Sequence, residues 1–226
     1  MDDFVTELLA RNTTHASRFH SRFDDVQDAQ APSAVTVCCS DSRVLQDAMW
    51  DNTEPGTLFT CGNIGNRVIQ QTDAGTAISG DVLYPLAHTG TEIAIVVGHT
   101  GCGAVTAAYE DLTAGLSEPA GIEHCLGLLK PHLAPGIERL PTDLSREAAI
   151  NRLVEYNVDR QIDHLRHSDD VADTVCAIGV VYDFQDQYAG QRGAAHVINI
   201  DGETDVDSLR TAHPDIADRI ERLWEY

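Results

Sequence analysis

Val35-Thr36-Val37-Cys38-Cys39-Ser40-Asp41-Ser42-Arg43 is the stretch on which the fold turns. Three β-branched residues in a row favour an extended strand, and that strand runs straight into a thiol, a carboxylate and a guanidinium. A second apolar run, Ile93-Ala94-Ile95-Val96-Val97, exits into Gly98-His99-Thr100-Gly101-Cys102-Gly103. Open α/β sheets place their sites just past the C-terminal ends of strands. Cys39, His99 and Cys102 then offer zinc two thiolates and one imidazole, and three protein ligands leave the fourth position open, as catalytic rather than structural zinc requires. Cys38 alternates to the other face of its strand and reads as core.

Outward from these strands the pattern is that of a mostly parallel sheet of four to five strands flanked by helices. Residues 4–20 space Phe4, Leu8, Leu9, Ala16 and Phe19 as an amphipathic helix, giving an N-terminal arm over residues 1–22. A polar stretch from Asp24 to Pro32 ends it. Residues 44–50 read as a short helix, 57–61 as a strand after Pro55-Gly56, and 62–66 as a loop opening a helix. Residues 74–89 read as a helix with Pro85 awkwardly inside it. Past the second motif a helix begins at Ala104, and the Gly- and Pro-containing segment 110–141 reads as short helices and loops. Ala149, Leu153, Val154, Val158, Ile162 and Leu165 form a helical stripe over 148–165. Residues 175–182 make a buried strand, 195–200 an edge strand, and 206–226 a polar C-terminal helix or tail. The whole, 1–226, reads as one domain.

Composition narrows the class. The chain has 36 acidic and 15 basic residues, a formal net charge of −21, and Lys130 is its one lysine. Such a surface repels phosphate backbones, so nucleic acid is excluded as a partner. It also repels itself unless salt screens it, which points to a halophilic cytoplasm. No run approaches the ~20 apolar residues of a membrane span, and the start lacks a basic and apolar leader. A cytoplasmic protein with reduced cysteines is the expectation.

Cys39-Ser40-Asp41-Ser42-Arg43 followed by Gly98-His99-Thr100-Gly101-Cys102-Gly103, with Pro55-Gly56 and Phe59 and then Asn63 and Asn66 between, resembles the signature of the β-class carbonic anhydrases. The resemblance runs from the N-terminal helix to Tyr182-Asp183 and is weakest over 110–150 and after 205. It implies one zinc per chain on Cys39, His99 and Cys102. It also implies reversible hydration of carbon dioxide to bicarbonate and a proton, by attack of zinc-bound hydroxide that an Asp41–Arg43 dyad orients. Asp41 freed from Arg43 would become a fourth ligand in a closed state. Phe59, Ile64 and Tyr84 would wall the substrate pocket, Gly103 would offer a backbone N–H, and Gln30 would reach substrate from an adjoining subunit of a homodimer or dimer of dimers. Thr36 and Gly62 depart from the tryptophan and arginine that build a non-catalytic bicarbonate site in regulated relatives, which argues against that regulation. No histidine spacing selects a proton carrier.

Two rivals bound this reading. Similar zinc sites hydrolyse carbonyl sulfide or carbon disulfide. Alternatively a fourth protein ligand, with Cys61 the residue to suspect, would close the zinc into a structural site. Cys61, Cys125 and Cys176 otherwise read as packed thiols.

Overall fold

The structure is a computed structural model that describes residues 3–226; Met1 and Asp2, the first residues of the expected arm, lie outside the described residues. Asp3–Phe19 forms α1, an amphipathic helix with no buried residue. Ala34–Cys39 (β1) is buried at every position, as a strand covered on both faces must be. Leu58–Asn63 (β2) follows, then an antiparallel hairpin of Ile69–Thr72 (β3) and Gly75–Ile78 (β4). Next come Gly80–His88 (α2), Ile93–His99 (β5), Gly103–Ala114 (α3), Ala120–Arg139 (α4) and Arg146–Arg166 (α5). Cys176–Asp183 (β6), Ala194–Ile200 (β7) and Val206–Ala212 (α6) complete the α-helices and strands among the described residues.

The main sheet has the order β2-β1-β5-β6-β7, parallel except for the antiparallel edge strand β7. From β1 the chain moves outward to β2, and from β5 it moves outward the other way to β6. The crevice between the C-terminal ends of β1 and β5 is therefore the switch point where such sheets bind their ligands. Cys38 and Cys39 face opposite sides of β1 and join different core clusters. α5 lies against the sheet because Gly98 and Gly179 leave room for Val158: a Cβ on either would lie 2.7 Å from its methyls.

Five expectations are corrected. The loop at 62–66 opens no helix: after a turn at 64–65 the chain enters the hairpin β3–β4. The helix expected over 74–89 starts only at Gly80, and the hairpin β3–β4 precedes it. Pro85 is tolerated there because the Asp81 carbonyl it leaves without a helical N–H accepts instead from the Cys61 thiol, 3.4 Å away. Over 110–141 the short helices and loops are instead the end of α3 and one long helix, α4. Its two prolines, Pro131 and Pro135, are exposed, where water can satisfy the freed carbonyls, while Leu126, Leu129, Leu133 and Gly136 form the buried stripe. The stretch 44–50 contains only a 3-10 turn at Ala48–Trp50. The C-terminal tail is not simply polar: Leu209, Ile220 and Trp224 are buried, and the Trp224 and Tyr226 rings sit 5.9 and 4.9 Å from that of Tyr156.

Buried polar groups on α5 fasten the loop after β2. Asn157 Nδ2 donates to Gly65 O and Asn66 Oδ1, and Gln161 Oε1 accepts from the Val68 N–H at 2.9 Å. These bonds satisfy backbone that the loop would otherwise bury unpaired.

Candidate metal centre and its carboxylate

Cys39 ends β1, His99 ends β5 and Cys102 caps α3, so two adjacent strands and one helix start bring the three side chains together. Their ligand atoms all lie within 4.8 Å of one another, and all three residues are buried. The two sulfurs are 3.8 Å apart, which is the separation expected of two thiolates each ~2.3 Å from a tetrahedral ion. His99 Nδ1 is engaged with its neighbour's carbonyl, Thr100 O, at 2.9 Å, which makes Nδ1 the donor and leaves Nε2 with a lone pair. That Nε2 is buried without a hydrogen-bond partner. An orphan imidazole nitrogen beside two close thiols fits a zinc ion, and the chemistry of the donor set suits it.

The thiols ionise unequally. The hydrogen bond from Cys102, together with His99, pulls the Cys39 thiol down, while the same bond and deep burial push Cys102 up. Cys61 is not a member of the cluster; burial pushes its thiol up to about 11, and its hydrogen bond goes to Asp81 O. Among the described residues, the cluster therefore has three ligands.

Asp41 Oδ2 lies 3.7 Å from His99 Nε2, facing the same space as the ligands. Arg43 holds it in a paired grip, Nε to Oδ1 at 2.8 Å and Nη2 to Oδ2 at 2.6 Å, and the Arg43 N–H adds a bond to Oδ1 at 2.9 Å. These bonds keep the Asp41 carboxyl well below the usual carboxylate range, so it is ionised at neutral pH. Arg43 is itself placed: Nη2 donates to Gly101 O at 3.3 Å, and the guanidinium sits 4.5 Å over the Phe184 ring.

Some of this machinery is not evident from the chain. Phe184 stacks 5.6 Å from His99 and under Arg43. Asn151, on α5, accepts the Gly101 N–H at 2.8 Å, and Gly101 takes a φ of +60° that suits glycine. Thr100 Oγ1 donates to Asp183 Oδ1, whose carboxylate in turn receives the N–H groups of Gln185, Gln187 and Tyr188. No local spacing announces such partners, because each lies 50 or more residues from the loop it holds.

The remaining residues named from the resemblance are more loosely gathered. Phe59 and Tyr84 rings are 6.2 Å apart, Tyr84 being half-exposed, and Ile64 packs partly buried against the core. Gly103 is the exposed first residue of α3, and Gln30 is exposed in the loop before β1.

The fold and this site define an α/β protein whose two thiols and one imidazole are gathered as a metal centre requires. A family model described as carbonic anhydrase matches residues 34–188, and the chain belongs to that family. It is 32% identical over 145 residues to a carbonic anhydrase of Pseudomonas aeruginosa, an alignment covering 64% of this chain and 63% of that one. The chain spans still less of a Helicobacter pylori carbonic anhydrase, 47% at 32% identity, and 35% of a chloroplastic β carbonic anhydrase of Arabidopsis thaliana at 29% identity. Among solved structures, a tetrameric β-carbonic anhydrase of Sordaria macrospora superposes with a TM-score of 0.71 at 22% identity, over 88% of this chain and 98% of that one. One from Aspergillus fumigatus does so at 0.71 and 24% identity, over 98% of this chain and all of the other. These two likenesses establish the fold. No helix among the described residues is long and apolar enough to cross a membrane.

Proposed function

We propose that the protein is a carbonate dehydratase, catalysing the reversible hydration of carbon dioxide to bicarbonate with zinc held by Cys39, His99 and Cys102. The observation that carries this reading is the ionised Asp41 carboxylate beside the orphan His99 nitrogen, pinned there by Arg43. Zinc, when bound, supplies a Lewis acid that makes water nucleophilic near neutral pH. Asp41 accepts a hydrogen bond from the attacking water and so aims its lone pair at the substrate carbon, the proton released in the reaction passing to buffer. Arg43 keeps that carboxylate ionised and occupies both its oxygens, holding it beside the ligands without joining them; released from Arg43, Asp41 would become a fourth ligand itself. Asn151 and Arg43 grip the Gly101 peptide from its two sides, fixing the loop between His99 and Cys102. Phe59, Ile64 and Tyr84 offer carbon dioxide an apolar wall, and the Gly103 N–H donates to a substrate oxygen.

The active unit in this reading is a dimer or dimer of dimers. The exposed apolar side chains Val5, Leu8 and Leu9 of α1 support an arm laid on a second copy, which would also bring Gln30 to a neighbour's pocket. The net charge of −21 supports a cytoplasmic protein that works in concentrated salt. The test of the metal's role is Cys102→Ser beside wild type, with zinc analysis and hydration followed by a pH indicator. Loss of zinc and hydration together is the expected result, whereas full hydration by a zinc-free variant contradicts the reading.

A further inference from the structure

A second pair of metal-ligating side chains lies outside the centre described above. His132 on α4 and His164 on α5 approach each other with their Nε2 atoms 3.2 Å apart, ring centroids 4.5 Å apart and planes at 80°. Neither Nε2 makes another hydrogen bond among the described residues. Two imidazole nitrogens each ~2.0 Å from a tetrahedral ion stand about 3.3 Å apart, so the observed spacing already suits a shared cation. Both rings are half-buried between the helices rather than sealed in, so an ion can reach them.

The surroundings favour neutral rings. Burial lowers the pKa of His132 and brings that of His164 down to about 4, so protons do not compete for the nitrogens at neutral pH. His164 sits in the last turn of α5, where the helix dipole presents its negative end. The Arg160 charge lowers both pKa values further, and His167 lowers that of His164; against a bound cation the Arg160 guanidinium is partly neutralised by its pair with Asp163 at 2.9 Å. The pair is also remote from the first centre. Asn151 marks the end of α5 near Gly101, and thirteen residues of helix to His164 span ~20 Å.

We propose that His132 and His164 form a second, weaker site for a borderline divalent cation such as zinc, water completing its coordination. The experiment is equilibrium dialysis of the zinc-loaded protein against low-micromolar free zinc, comparing wild type with His132→Ala, His164→Ala and His167→Ala. Wild type and His167→Ala bind a second equivalent; His132→Ala and His164→Ala keep only the first, whose retention reports that they are folded. On wild type alone, the ring 15N resonances of His132 and His164 shift as the second equivalent binds. A second equivalent that persists in both alanine variants, no second equivalent in wild type, or unmoved His132 and His164 resonances overturns the proposal.

Discussion

Two aspartate–arginine pairs in this molecule have nearly the same contact and opposite settings. Asp41 and Arg43 meet at 2.6 Å at the mouth of the metal centre, with 14% and 49% of their side chains exposed. Asp159 and Arg222 meet at 2.7 Å with only 2% of each exposed. The first pair is two residues apart in sequence and holds a carboxylate ready beside the ligands. The second joins α5 to the last residues of the chain, and Asn199 and Tyr226 also donate to Asp159. The contrast separates two uses of one interaction. At the mouth, water screens the pair, so it adds little to stability and its value is to orient a charge. In the interior, each charge depends on the other, so the pair locks the C-terminal segment in place.

This contrast can be broken most forcefully from the buried side. Asp159→Ala leaves the Arg222 charge unpaired in the core and is expected to cost about 3–5 kcal/mol in urea unfolding, by the range for broken buried pairs. If the cost is below ~1 kcal/mol, the pair is not the lock described. A second buried acid sharpens the point. Glu155 lies one helical turn from Asp159, accepts from Tyr188 Oη and the Leu223 N–H, and leaves Oε2 without a partner. Burial raises its pKa from 4.5 to about 7, against the pull of Arg222. Between those values the unfolded chain ionises Glu155 while the folded chain keeps the proton, so folded stability falls as pH rises through that window. The slope approaches 1.4 kcal/mol per pH unit at most, as an order-of-magnitude figure. Glu155→Gln should remove that part of the slope, measured as unfolding free energy against pH; an unchanged slope means that Glu155 is not the titrating group.

The exposed pair should respond in activity rather than stability. Arg43→Lys keeps the charge but loses the paired geometry. Its unfolding free energy should stay within about 1 kcal/mol of wild type, while hydration falls several-fold. Equal activity would show that the fork of the guanidinium is not what positions Asp41.

The same two regions show what the chain reveals directly. β1 and β5 are readable because apolar strands run into cysteine, histidine and aspartate within a few residues, so strand, site and dyad are all local. Asp159, Glu155 and Arg222 are not readable as a cluster. The apolar stripe of α5 is visible, but its polar residues look solvent-facing until the C-terminal segment covers them. α4 was hidden for a different reason: Pro131 and Pro135 weigh against a helix in any local reading, whereas the structure puts both on its solvent side. Phe184 and Asn151 complete the site across the sheet and from a distant helix, which the close packing of Val158 against Gly98 and Gly179 helps bring within reach.

The most direct measurement is carbon dioxide hydration by stopped flow, in concentrated salt, on wild type and Asp41→Ala at matched zinc content. Rapid hydration by wild type, reduced by about 10²-fold or more in Asp41→Ala, is the predicted result, the size being that of a misplaced nucleophile. Folded, zinc-loaded wild type that does not hydrate carbon dioxide between pH 7 and 9, or an Asp41→Ala variant as fast as wild type, would contradict it.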